Sequence, residues 1–127
     1  MAIRTELSLR LQNSPGALSR VCQVLANERV NLIALSLDGS GTLRMVVDNH
    51  IHAAATLREQ HYQVEEREVL YTIMPNQPGS LAKAVKLVSD AGVNLDYAYA
   101  TGVENDRMVG VVIGVADTLR ASAAAGI

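Results

Sequence analysis

The hexamer "NSPGAL" at Asn13–Leu18 returns as "NQPGSL" at Asn76–Leu81, an offset of 76 − 13 = 63 residues. At the same offset "VNL" at Val30–Leu32 recurs at Val93–Leu95, Gly39 recurs as Gly102, and "RMV" at Arg44–Val46 recurs as Arg107–Val109. A doubled pattern of this kind means that one structural unit is built twice. The period matches no solenoid repeat, and in a chain of 127 residues each unit lies near the lower size limit for folding alone. The two units are therefore expected to share a core or to dock tightly.

Residues 3–11 alternate, with Ile3, Leu7, Leu9 and Leu11 on one side and Arg4, Glu6, Ser8 and Arg10 on the other. Period two predicts a strand with one wet face. Ser14-Pro15-Gly16 breaks the pattern, with Pro15 suited to a first helical position. Leu18, Val21, Cys22 and Leu25 then form an apolar helix stripe, repeated as Leu81, Ala84, Val85 and Val88. Two β-rich runs, "VNLIALSL" and "TLRMVVD", flank Asp38-Gly39-Ser40-Gly41 and predict a hairpin. Asp48 or Asn49 caps a second helix through about Gln60, with Ile51, Ala54 and Ala55 inward. Tyr62–Met74 reads as one extended stretch, the last strand of the first unit and the first strand of the second.

The order strand, helix, strand, strand, helix, strand predicts the α+β class: two ferredoxin-like βαββαβ units, residues 1–67 and 68–127. Their sheets are antiparallel, with helices on one face. Val69–Met74 is apolar or aromatic on both faces, which predicts cover on both sides there. At the 63-residue offset the second unit is also cut short (127 − 63 = 64), leaving its last strand incomplete and Glu68–Met74 as a bare edge. A shared sheet through the long Tyr62–Met74 strand, or a strand from a second chain, would close that edge. A homodimer is the favoured expectation.

Composition excludes several function classes. Phe and Trp are absent while 49% of residues are hydrophobic, so aliphatic side chains must fill the core. A net charge of −2 without a basic run gives no reason to expect nucleic acid. No run approaches membrane-spanning length and the alternating N-terminus is unlike a signal peptide, so no membrane partner is expected. Cys22 is the only cysteine, which excludes an internal disulfide and suits a reducing, cytoplasmic setting.

His50 and His52 diverge at a helix start, so with His61 they predict solvent-exposed side chains and no metal site. Cys22 belongs to an apolar stripe, and Glu65, Glu66 and Glu68 near Arg67 read as a solvated strand. Ser36, Ser40 and Ser89 belong to no nucleophile motif. No catalytic residue, cofactor or metal is expected, and the chain is not read as an enzyme.

The two strand-to-helix loops carry the chemistry that remains. Gly16 and Gly79 lack a Cβ, so a ligand can approach the backbone closely. The helix that follows aims unpaired amides at the loop, suiting a carboxylate or phosphate. The dipole supplies only roughly 0.3–1 kcal/mol at exposed sites, so side chains must add specificity. Asn13 and Asn76 each offer a donor and an acceptor. Asn31 and Asn94 stand 18 residues later in both units (31 − 13 and 94 − 76), where an Asn can also simply cap or turn the chain.

"NSPGALSRVCQVLANERVNLIALSL" and "NQPGSLAKAVKLVSDAGVNLDYAYA" resemble the core of ACT domains, and two copies resemble a tandem ACT-domain protein over nearly the whole chain. The resemblance implies pairing with another copy and a free amino acid bound where two copies meet, near the strand-one-to-helix-one loops. In serine-binding regulatory members the motif Asn and the Asn of the "VN" turn contact the amino acid. Carried over, these are Asn13 with Asn31 and Asn76 with Asn94. The implied ligand set is Asn13, Pro15, Gly16, Ala17, Leu18 and Asn31, and again Asn76, Pro78, Gly79, Ser80, Leu81 and Asn94.

Those members carry a His two residues before the motif Asn, where this chain has Leu11 and Met74. Neither side chain can donate a hydrogen bond, leaving a ligand more apolar than serine or a loop that binds nothing. The implied function is a non-catalytic regulatory protein. Its amino-acid ligand would favour one arrangement of the units, read by a partner enzyme in trans or by self-association. The alternative is an assembly module without a ligand.

Overall fold

The computed structural model describes residues 2–124. The elements are β1 (Ala2–Arg10), α1 (Ala17–Asn27), β2 (Leu32–Leu37), β3 (Thr42–Val47), α2 (His50–Glu59) and β4 (Glu65–Pro75). They continue as α3 (Ser80–Asp90), β5 (Leu95–Thr101), β6 (Met108–Val115) and α4 (Thr118–Ala124). Strands hydrogen-bond in the order β2-β3-β1-β4-β6-β5. Two compact units result, Thr5–Arg67 and, among the described residues, 2–4 with 68–124. The strand order within the N-terminal unit is β2-β3-β1-β4 and within the C-terminal unit β5-β6-β4-β1, each the split-βαβ arrangement.

In the N-terminal unit, Leu7, Leu9, Leu43, Met45 and Val47 meet Val21 and Leu25 of α1 and Ala53, Ala54 and Leu57 of α2. In the C-terminal unit, Leu70, Met74, Val111, Ile113 and Val115 meet Ala84 and Val88 of α3 and Ala121 of α4. Both helices of each unit thus lie on one face of its strands. Both units also repeat a register shift early in the second strand, between Leu32 and Ala34 and between Leu95 and Tyr97. The 63-residue repeat therefore extends to a β-bulge.

The repeat changes register at the hairpin. Leu7 faces Met45 and Leu70 faces Ile113, so the first strands differ by 70 − 7 = 63 but the third strands by 113 − 45 = 68. The structural counterpart of Arg44 is consequently Val112, since Ser8 faces Arg44 and Tyr71 faces Val112. Arg107–Val109 is not the counterpart of Arg44–Val46, despite the matching letters. Five extra residues lengthen the second hairpin, and α4 follows at the new offset (118 − 50 = 68).

Three other expectations are corrected. Glu6 is 1% exposed rather than on a wet face. Val46 and Val69 are buried as well without joining either helix-facing core, so the reverse side of the strands is not open to water there. Ile51 is 73% exposed and Ala55 is also exposed. The cap at Asn49 phases α2 so that Leu57, a larger apolar residue, is buried with Ala53 and Ala54.

Pro15 precedes the N-cap of α1 and is not helical. Ser14 to Ala17 instead form a β-turn, the Ala17 N–H donating to the Ser14 carbonyl at 3.3 Å with Gly16 at φ 83°, ψ −2°. Those angles are the third position of a type II turn, which takes Gly there and Pro just before it. Gln77–Ser80 repeat the turn at 3.3 Å with Gly79 at φ 89°.

The fourth strand position of the C-terminal unit is taken by residues 2–4 of β1. Ile3 packs on that unit's core, and the Arg4 guanidinium carbon lies 5.1 Å from the centre of the Tyr71 ring. The edge of β4 is thus closed from within the chain, and residues 125–127 lie outside the described residues. Ile73 on that strand is nonetheless exposed.

Candidate functional site

The two Pro-Gly turns determine what the following helices present. Gly16 and Gly79 are the N-caps of α1 and α3, and neither helix receives a side-chain cap. The other two helices differ. His52 N–H of α2 donates to Asn49 Oδ1 at 3.2 Å, and Arg120 N–H of α4 donates to Asp117 Oδ1 at 3.0 Å. First-turn amides need an acceptor, so α1 and α3 begin with positive potential that no side-chain cap absorbs among the described residues.

Loop one borders a cleft of about 380 Å3, formed by Leu11–Leu18 on one side and the Leu37–Gly41 hairpin on the other. Asn13, Gly16, Ala17 and Leu18 line it, and Leu11 and Leu37 add apolar surface. Pro15 is exposed in the same turn. The Asn13 side chain has no hydrogen-bond partner among the described residues.

Asp38 anchors the hairpin wall. Its Oδ1 accepts from Ser40 Oγ at 2.5 Å and from the amides of Ser40 and Thr42, and Arg44 Nη1 lies 3.4 Å from Oδ2. The Ser40 hydroxyl bond, with the backbone amides and Arg44, holds the Asp38 carboxyl below its ordinary value despite some desolvation. With these acceptor positions filled, Asp38 shapes the wall and has little left for a ligand.

Loop two is built differently. The Asn76 N–H donates to the Arg107 carbonyl at 2.9 Å, while Asn76 Nδ2 donates to Asp106 O at 3.1 Å and Glu104 O at 3.5 Å. The lengthened second hairpin has come down on the motif Asn and taken up its donors. Pro78 and Gly79 remain exposed, and Leu81 is exposed on the first turn of α3. Pro75, Gln77 and Ser80 of this loop line a cleft of about 300 Å3 with Thr72, Met74, Lys83, Ala84 and Leu87, but Asn76 does not line it.

Asn31 and Asn94 are not brought to these loops within their own units. The Asn31 N–H donates to Asp48 Oδ1 at 3.0 Å and the Asp48 N–H to Asn31 O at 3.1 Å, at the strand ends away from the hairpin. Asn94 accepts from the Ala116 N–H at 3.3 Å at the corresponding place. Both asparagines tie the start of a second strand to the end of a third.

One pair of residues was missed in the sequence. Arg20 and Lys83 stand at the same register (83 − 20 = 63), one turn into α1 and α3. Arg20 Nη1 lies 3.3 Å from where a Cβ on Gly16 would sit, whereas nothing lies within 4 Å of that point on Gly79. The signal was available: a basic residue four positions after the motif Gly in both copies. Among the described residues no three His, Cys, Asp or Glu side chains converge as a metal site, and no helix is long and apolar enough to cross a membrane.

A sequence model described as an ACT domain pair matches residues 1–122. The structure is similar to protein BT0572 from Bacteroides thetaiotaomicron, with 31% identity and a TM-score of 0.89 over 98% of this chain and 87% of that one. It is also similar to the ligand-free regulatory subunit of aspartate kinase from Thermus thermophilus, with 17% identity and a TM-score of 0.69 over 98% of this chain and 92% of that one. The corresponding subunit from Thermus flavus has 16% identity and a TM-score of 0.66 over 97% and 90% of the two chains. At those identities the likeness to the kinase subunits is one of fold. No curated protein sequence matches the chain.

Proposed function

The chain belongs to the family of ACT domain pairs, and from that premise we propose that it is a non-catalytic regulatory protein binding a small apolar amino acid at loop one. The observation that carries the reading is the contrast among helix starts. Asn49 and Asp117 cap α2 and α4, while α1 begins uncapped beside a cleft of about 380 Å3 with Asn13 unpartnered. The ligand carboxylate takes the open amides of α1 and Asn13 binds its polar groups. Leu11, Leu18 and Leu37 surround its side chain. That lining suits an aliphatic side chain better than a hydroxyl.

The role follows by linkage. A ligand that prefers one arrangement of the chain shifts the population toward it, and whatever binds that arrangement reads the ligand. Similarity to kinase regulatory subunits supports a partner enzyme in trans as the reader. Self-association into a homodimer is the other route. For loop two the assembly reading is favoured, because Asn76 already spends its amide on Glu104 and Asp106.

Calorimetry with the twenty amino acids tests this. A small aliphatic amino acid is expected to bind, Asn13→Ala to weaken it by about tenfold, as one hydrogen bond to a charged group would, and Asn76→Ala to leave it unchanged. Absence of binding by every amino acid, or full affinity in Asn13→Ala, would overturn the proposal.

A further inference from the structure

A second cleft, of about 350 Å3, lies on the other flank of the α1 start. Arg10, Arg20, His61 and Tyr62 line it with Gln12 and Gln60, and no carboxylate does. It shares Arg10, His61 and Tyr62 with an adjoining cleft of about 530 Å3, where Glu65 stands. Its size is within the range of small-molecule sites, about 300–1,000 Å3.

The charge is unusual for this chain, which carries 13 acidic against 11 basic residues. Three basic side chains pair with carboxylates, Arg44 with Asp38, Arg58 with Glu66, and Lys86 with Asp90; what marks this cleft is two arginines on one lining that holds no carboxylate. Neither Arg10 nor Arg20 has a carboxylate partner among the described residues. Both are positioned all the same. Arg10 Nη2 donates to the Ser40 carbonyl at 3.0 Å, and Arg20 lies against Gly16, where any Cβ would crowd it.

His61 is placed by the end of α2. Its N–H donates to Arg58 O and that of Tyr62 to Leu57 O, a Schellman-type ending that puts His61 at φ 69°. Glycine is the usual residue at such a position, so a histidine here presents an imidazole to the cleft at some conformational cost. The carboxyl end of α2 opposes an anion with about half a charge. Two full guanidinium charges outweigh it.

We propose that this cleft, lined by Arg10, Arg20, His61 and Tyr62, is a binding site for a small dianion, a phosphate or a dicarboxylate. Guanidinium groups pair with either through parallel N–H···O bonds. The site adjoins the amino-acid cleft, sharing Leu11, Gln12 and Ala17 with it, but Asn13 does not line this site and these four residues do not line that cleft.

The test is calorimetry on the full chain with inorganic phosphate and with succinate, using uncharged succinamide as control. Submillimolar binding of at least one dianion is expected, and the better binder identifies the class. Arg10→Gln and Arg20→Gln should each weaken it about tenfold or more. His61→Gly, which removes the side chain while suiting the positive φ, should weaken it without lowering the melting temperature. Asn13→Ala should leave dianion affinity unchanged, which separates this site from the amino-acid site. Failure of both dianions to bind at millimolar concentration, equal binding of succinamide, or full affinity in both arginine variants would overturn the proposal.

Discussion

Asn13 and Asn76 stand at one register of the repeat, yet their amides meet different surroundings. Asn76 holds the second hairpin through Asp106 and Glu104, whereas Asn13 faces an open cleft. Asn76→Ala should therefore cost about 0.5–1.5 kcal/mol, the usual net worth of such a bond, while Asn13→Ala should leave stability unchanged. Scanning calorimetry of the two variants checks this. Equal melting temperatures would mean that the Asn76 bonds contribute nothing net. The sequence made the two loops look alike because their hexamers match. What separates them is the length of a hairpin some thirty residues further on, hidden by "RMV", which repeats at offset 63 while the structure runs at 68.

Among the elements, β1 serves both units, with residues 2–4 in one and the remainder in the other. Removing residues 2–4 should strip Ile3 from the C-terminal core, take the cation from the Tyr71 ring and bare the edge of β4. An exposed cation–π pair is worth about 0.5–1 kcal/mol, so the bared edge matters more than the lost contacts. Light scattering should then show concentration-dependent association beyond that of the full chain, because unpaired strand edges seek partners. A truncated chain that scatters like the full one would show that these residues do not guard the edge. Strand alternation, the helix stripes and the hairpin were legible in the sequence, being local patterns with fixed periods. The closure of β4 by residues 2–4 was not, because pairing between distant strands leaves no local mark. Nor was the burial of Glu6, since alternation assigns a residue to a face without saying whether water reaches that face. Pro15 was misplaced for a smaller reason. Pro suits both a first helical position and the second position of a type II turn, and the Gly after it favours the turn.

For the whole molecule, two copies of one fold have diverged into one loop whose motif Asn lines a cleft and one whose motif Asn is fastened to its own hairpin. The helix starts are alike, both uncapped and both followed by a cation, so the divergence rests on the hairpin and not on the motif. The central claim is that a free amino acid binds loop one through the amides of α1. The most direct measurement is a titration of the isotopically labelled chain with the best-binding amino acid, following backbone amide resonances. Saturable shifts are expected at residues 11–19 and 37–41, with residues 74–83 undisturbed. Shifts confined to residues 74–83, or none at saturating ligand, would contradict that claim.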